Sequence, residues 1–268
     1  MRTKQLGTTA VTVPEIGLGV WKYRGGVEPL RKGLELGARL IDTAEAYRTE
    51  DVVGQAVKDL RDHVFIATKV SGDHLRHDAV LRAAEASLRL LGTDVIDLYQ
   101  IHWPNSSVPI TETMRALEEL VDRKQIKYIG VSNFTVRELR EAQAAMRHNP
   151  IVSNQVLYNL NARSIEHEML PYCQEHNVTI LAYTPLDSGR LTNRNIDRLA
   201  RGVRTLEQIA SETHKTLSQV ALNWCVSHPN VIAIPKSDRV DRTVENCGAS
   251  GWRLTQEQMS RLDEAFSW

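Results

Sequence analysis

Val95-Ile96-Asp97-Leu98-Tyr99-Gln100-Ile101-His102 is an apolar run that ends on a polar residue; a loop and then a helical stretch follow it. The same kind of unit recurs on both sides. Before it stand Ile16-Gly17-Leu18-Gly19, Arg39-Leu40-Ile41-Asp42 and Val64-Phe65-Ile66-Ala67-Thr68-Lys69. After it come Tyr128-Ile129-Gly130-Val131-Ser132, Ile151-Val152-Ser153-Asn154-Gln155, Val178-Thr179-Ile180-Leu181-Ala182-Tyr183 and Val231-Ile232-Ala233-Ile234-Pro235. These make eight candidate strands. Short apolar runs of this kind suit strands buried on both faces, as in parallel sheets.

The segments between the runs carry apolar residues at helical spacing. Leu81, Ala84, Leu88 and Leu91 form one stripe, and Gly92 fits the glycine that closes a helix. Met114, Leu117 and Val121 form another, and Val136, Leu139, Ala142 and Met146 a third, with Thr135 and Glu138 spaced as a capping box. Ile165, Met169, Tyr172 and Cys173 continue the series, as do Leu217, Val220, Ala221, Trp224 and Cys225. Strand and helix in alternation predict βαβ units and a parallel sheet, either closed or open. An open, doubly wound sheet calls for a glycine-rich phosphate turn after an early strand. Gly17-Leu18-Gly19 begins one, but Lys22 stands where the third glycine belongs, and no GxxxxGK[ST] occurs. The prediction is therefore an α/β (β/α)8 TIM barrel, one domain over residues 1–268. Two β-prone runs in residues 3–15, split by Gly7-Thr8, predict a hairpin closing the bottom. Two extra helices are expected within 203–228, and Leu254–Phe266 reads as a final amphipathic helix.

Composition narrows the function. Lys plus Arg and Asp plus Glu both number 33, so no global field draws nucleic acid or anionic lipid. No apolar run approaches the ~18 residues of a membrane span. Cys173, Cys225 and Cys247 form no CxxC pair, and the first residues have no apolar signal core. A reducing, cytoplasmic setting is expected.

Catalytic groups of a barrel sit at the C-terminal ends of its strands. Those ends carry Asp42, Lys69, His102, Ser132 with Asn133, Gln155 and Tyr183, and Lys236 follows the last strand. Strand parity groups His102 with Gln100 and Leu98, Lys69 with Ala67, and Asp42 with Leu40. Charges directed into one barrel mouth need partners, and Asp42 and Lys69 suit each other. Tyr47 lies five residues beyond Asp42. A neighbouring ammonium favours the phenolate, so the expectation is a lowered phenol pKa and a general acid at Tyr47. His102 would orient or polarise the same oxygen. No serine or cysteine nucleophile has a paired base, and proton donation alone suits carbonyl reduction by an external hydride.

Gly17-Leu18-Gly19, Ile41-Asp42-Thr43-Ala44-x-x-Tyr47, Ala67-Thr68-Lys69, Leu98 to Pro104, Gly130-Val131-Ser132-Asn133-Phe134 and Ile234-Pro235-Lys236-Ser237 resemble the motifs of the aldo-keto reductases, in the family's order. The chain resembles a short, bacterial-type member. The resemblance implies NADPH as cofactor, with Tyr47 as proton donor, Asp42 and Lys69 as its tuning pair and His102 orienting the substrate. It also implies that Ser132, Asn133 and Gln155 hold the nicotinamide carboxamide and that Tyr183 stacks on the ring. Leu186 and Ser188 would touch the pyrophosphate. Lys236, Ser237 and Arg242 would take the 2′-phosphate, with Glu245 and Asn246 at the adenine. Asp187 stands where the family often has glycine, and an acid beside a pyrophosphate is unfavourable unless it turns to solvent. The chain stops two residues after Phe266, without the C-terminal segment of longer members, so an open mouth and broad substrates are expected.

Trp21 and Trp103 follow strand ends and are candidate substrate walls as much as packing residues. His74 and His77 are read as a solvated loop rather than a metal site, Asp97 as structural and Trp224 as core. The basic run Arg194 to Arg204, interrupted by Asp197, reads as a solvated face. A small carbonyl substrate, no metal and a monomer complete the expectation. Two alternatives stay open: a non-catalytic NADPH-binding sensor or regulatory subunit on the same barrel, and a barrel isomerase using Lys69 or His102.

Overall fold

The computed structural model describes residues 1–192 and 200–267. Strands β1 (Thr3–Gln5) and β2 (Thr12–Pro14) pair antiparallel as a hairpin. Then follow β3 (Leu18–Gly19), α1 (Glu28–Glu35), β4 (Leu40–Asp42), α2 (Glu50–Val57), β5 (Phe65–Val70), α3 (His77–Leu91), β6 (Ile96–Ile101) and α4 (Ile110–Asp122). The second half runs β7 (Ile126–Ser132), α5 (Val136–Ala145), β8 (Ile151–Leu157), α6 (Met169–Glu175), β9 (Thr179–Tyr183), α7 (Ala200–Thr213), α8 (Leu217–Ser227), β10 (Val231–Ala233), α9 (Val240–Cys247) and α10 (Gln256–Ala265).

Strands β3 to β10 form one parallel sheet in sequence order. It closes on itself: Ile16 bridges Ala233, Gly19 bridges Lys236, and Gly17 N donates to Ala233 O at 2.8 Å. This is the (β/α)8 barrel expected from the alternation. The first strand is shorter than the run Ile16–Gly19, because its ends are held by isolated bridges rather than by a ladder.

Alternation along each strand splits the core in two. Leu40, Ala67, Leu98, Leu181, Ile232 and Ile234 fill the lumen with Leu6 and Val13 of the hairpin segment. Ile41, Ile66, Tyr99, Val131 and Ile180 face outward into the helical layer. The hairpin closes the lower end. Gly7, at φ 54°, would place a Cβ 2.8 Å from Val152 O, so only glycine lets this turn sit against the lumen. Lys4 Nζ donates to three carbonyls, those of Val226 (2.6 Å), His228 (2.8 Å) and Val231 (2.7 Å), and so ties the hairpin to the end of α8.

The capping box at Thr135 and the left-handed Gly92 closing α3 are both present. The stripe Ile165–Cys173 is not one helix. Residues Ser164–Glu166 form a 3-10 turn and α6 begins at Met169, which puts Pro171 in a first turn, where its missing N–H costs nothing. Asp97 lies outside the lumen, bound to Arg61 (2.8 Å) and Lys127 (2.7 Å), and Trp224 is fully buried. His74 meets Glu45 and His77 meets Glu119, with no metal-holding cluster among the described residues. Of the basic run, residues 194–199 lie outside the described residues; Arg201 and Arg204 are exposed on α7. No described helix is long and apolar enough to cross a membrane.

Candidate active site

The lumen's apolar layers end at Leu40, Ala67 and Leu98, and two residues further along each strand the same inward face carries Asp42, Lys69 and Gln100. Lys69 is completely buried. An ammonium there requires partners, and it has them: Asp42 Oδ1 at 2.7 Å, Thr43 O at 2.8 Å and Tyr47 Oη at 3.5 Å. The second oxygen of Asp42 accepts from Gln155 Nε2 at 2.7 Å and Gln100 Nε2 at 3.4 Å.

Tyr47 ends a 3-10 turn (Glu45–Tyr47) that Arg48 closes in a left-handed conformation, φ 56°. The flanks of this turn are fastened. Thr43 Oγ1 meets Thr49 Oγ1 at 3.0 Å, and Thr68 Oγ1 donates to the buried Glu50 at 2.6 Å. The phenol oxygen is left 3.4 Å from His102 Nε2, the two rings edge to face with centroids 5.3 Å apart. Asp42, Tyr47, Lys69 and His102 therefore converge as the spacing predicted.

The electrostatics differ from expectation. Burial pushes the Tyr47 phenol well above its ordinary value, and Asp42 and Tyr183 push the same way. The ammonium of Lys69 lies 3.5 Å from the phenol oxygen, and burial outweighs it. Burial also lowers the pKa of Lys69, with Asp42 opposing. His102 falls to about 4 through burial and the charge of Lys69. At neutral pH the phenol keeps its proton and the imidazole is neutral.

A second wall stands beside this group. Asn133, left-handed at φ 62°, donates from Nδ2 to His102 O (3.1 Å) and to Ser132 Oγ (3.0 Å), and its Oδ1 accepts from Tyr183 Oη at 3.0 Å. Asparagine tolerates that conformation better than most residues. Ser132 Oγ and Asn133 N both donate to Gln155 O at 2.9 Å. Gln155 thus joins the wall through its backbone and Asp42 through its side chain. Sequence reading gave it only a place at the carboxamide; its tie to Asp42 spans 113 positions and leaves no local signal.

Lys236, Ser237, Arg242, Glu245 and Asn246 lie together after β10 and along α9. Lys236 pairs with Asp238, which also accepts Arg24 N at 2.8 Å, and Arg242 pairs with Glu245 at 2.6 Å. Ser237, Thr243 and the buried Asn246 line a crevice with Gly17, Leu18 and Gly19. Leu186 and Ser188 follow β9. Asp187 between them does not turn to solvent: it is 3 % exposed and bound to Arg190 and Asn161. Asn161 and Arg190 were not foreseen. Trp21 and Trp103 are each about half exposed, 50 % and 52 %, Trp21 under Lys22 Nζ at 4.4 Å and Trp103 stacked near His102 at 6.2 Å.

Comparison with known proteins identifies the family. The model of the aldo/keto reductase family matches residues 15–266. A methylglyoxal reductase of Escherichia coli (strain K12), YeaE, is 37% identical over 96% of this chain and 92% of its own. Among solved structures, a thermostable aldo-keto reductase in complex with the inhibitor epalrestat superposes with a TM-score of 0.92 at 41% identity, covering 99% of this chain and all (100%) of its own. An aldo/keto reductase from Klebsiella pneumoniae in complex with NADP and acetate gives a TM-score of 0.86 at 37% identity, over 95% of this chain and 92% of its own.

Proposed function

This chain belongs to the aldo/keto reductase family, and from that premise we propose which of its residues carry the reaction. It is an oxidoreductase that reduces carbonyl groups to alcohols with NADPH. The observation that carries the assignment of roles is Lys69, buried between Asp42 and the phenol of Tyr47, with His102 on the phenol's other side.

NADPH, when bound, supplies a hydride to the carbonyl carbon. The donor set of this chain fits it. Ser132 and Asn133 offer a hydroxyl and an amide to the carboxamide, and Gln155 braces them while holding Asp42. Tyr183 offers an aromatic face to the ring. Leu186 and Ser188 would hold the pyrophosphate, Lys236, Ser237 and Arg242 the 2′-phosphate, and Glu245 and Asn246 the adenine. Guanidinium and ammonium groups are strong phosphate partners.

Tyr47 gives its proton to the carbonyl oxygen as negative charge develops there. The phenol arrives protonated because burial holds its pKa high. The ammonium of Lys69 stabilises the phenolate left behind, and Asp42, with Gln100 and Gln155, fixes that ammonium. Neutral His102 shares a hydrogen bond with the substrate oxygen and orients it. Trp21 and Trp103 form apolar walls for a range of aldehydes and activated ketones. A monomer in the cytoplasm completes the reading, with three free, buried cysteines in support of a reducing setting.

The test is titration with NADPH followed by protein fluorescence, then addition of methylglyoxal and a panel of aldehydes. Binding with turnover is expected. Binding without turnover of any carbonyl would favour the sensor reading, and no binding would remove the nucleotide assignment.

A further inference from the structure

Asp187 is a buried carboxylate to which the reaction assigns nothing. Its Oδ1 accepts from Arg190 at 2.5 Å and its Oδ2 from Asn161 Nδ2 at 2.9 Å. The backbone around it is unusual. Thr184, Asp187 and Ser188 stand at φ 51°, 51° and 54°, and Gly189 follows at 85°. Non-glycine residues persist in this region only where their surroundings over-determine them.

The restraints come from one place. Asn159 Nδ2 donates to Thr184 O at 2.9 Å, and Asn161 Nδ2 reaches the Asp187 carboxylate. Both asparagines belong to a tight turn after β8, in which Ala162 N donates to Asn159 O at 3.0 Å and Asn161 N to Asn159 Oδ1 at 2.9 Å. Within the held loop, Asp187 N donates to Thr184 O and Gly189 N to Leu186 O, each at 2.9 Å. A rigid turn thus grips the loop at two points, one on the backbone and one on the side chain of Asp187.

We infer that Asp187 is a positioning residue for the dinucleotide. It fastens Leu186 and the left-handed Ser188 on either side of it in the places from which they would meet the pyrophosphate. Arg190 neutralises its carboxylate, so an acid one residue from a diphosphate does not repel it. The inference rests on the reading of Leu186 and Ser188 as pyrophosphate contacts.

Two variants test it. Asp187→Gly removes the carboxylate without backbone strain, since glycine accepts φ near 51°. Asp187→Asn keeps polar atoms for Arg190 and Asn161. The readouts are Kd and dissociation rate for NADPH by fluorescence, Kd for adenosine 2′,5′-bisphosphate, which lacks the pyrophosphate bridge, and kcat against KM. Asp187→Gly should weaken NADPH about tenfold, mostly through faster dissociation, and leave the bisphosphate within about twofold. Asp187→Asn should restore NADPH affinity to within about threefold. KM for NADPH should follow Kd. NADPH held by Asp187→Gly as tightly as by the parent, or equal losses for NADPH and the bisphosphate, would overturn the positioning role. A parent protein that binds neither nucleotide would remove the underlying reading along with it.

Discussion

Each end of the barrel takes a lysine ammonium from water, and the two are held in opposite ways. At the floor, Lys4 donates to three backbone carbonyls, and burial lowers its pKa to about 8. Its donors are fully used, by atoms that take no part in any proton transfer. At the mouth, Lys69 has one carboxylate, one carbonyl and, at 3.5 Å, a phenol whose other side faces a neutral imidazole. The weakest of these three contacts is the one that would shorten as charge builds on the phenol. A closed shell marks a fastening; a shell with one slack contact to a proton donor marks chemistry.

Substitutions at the mouth should separate activity from stability, and those at the floor should do the reverse. Tyr47→Phe removes one oxygen and should lower kcat/KM for an aldehyde by about 10²–10⁴, with NADPH affinity and melting temperature unchanged. Near-normal turnover would show that Tyr47 is not the acid; His102, neutral above a pKa of about 4, would be a poor replacement. Lys69→Met should cost about as much activity, and it also strands Asp42 without its cation. The double variant should lose far less than the product of the two single losses, because the residues act as one unit. A multiplicative loss would separate them.

Arg242→Ala should weaken NADPH by about tenfold or more and NADH much less, measured as two dissociation constants. Equal effects on both nucleotides would move the 2′-phosphate elsewhere. Lys4→Met leaves carbonyls at the end of α8 unpaired. It should cost on the order of 2 kcal/mol of stability, a fall of roughly 4–8 °C in Tm, while kcat of the folded enzyme holds. Lost kcat would dissolve the contrast between the two ends. The smallest effect expected is none. Proton-donor and imidazole states do not change between about pH 5 and pH 8, so kcat/KM should stay flat there and fall only as His102 protonates towards about 4. Protonation of His102 has a stability sign as well. Its folded pKa lies below the unfolded one, so the unfolded chain binds more protons between the two values and stability falls as pH drops through that window.

The convergence of side chains at the mouth was legible because strand parity is a strict rule. Once Leu40, Ala67 and Leu98 are taken as lumen, Asp42, Lys69 and Gln100 must follow them inward, and Tyr47 and His102 are near enough in sequence to join. The Gln155–Asp42 bond, the Asn133–Tyr183 bond and the burial of Asp187 were not legible. They depend on side chains meeting across strands far apart in sequence, and no local pattern records which partner each will find. The Tyr47 phenol was misjudged for a related reason. The lysine and its pairing with Asp42 are readable from the strand ends, but the degree to which packing buries the phenol is not, and burial is the largest cause of its raised pKa. The helix expected across Ile165–Cys173 failed because apolar spacing persists through the 3-10 turn, and only Pro171 hinted that α6 starts later.

The seam between β3 and β10 joins the first strand of the barrel to its last, through Ile16–Ala233 and Gly19–Lys236. A Cβ on Gly19 would lie 2.7 Å from Ile234 O, so the two backbones meet there with no room to spare. The crevice at Gly17, Gly19, Ser237 and Asn246 exists only once that seam has formed. Contacts of such long sequence separation carry a large loop-closure cost and tend to form late. Nucleotide binding should therefore report the completion of folding. In refolding from denaturant, helical ellipticity should recover before the fluorescence signal of bound NADPH, and Gly19→Ala should lengthen the delay between them. Simultaneous recovery of both signals would place the seam early in folding instead.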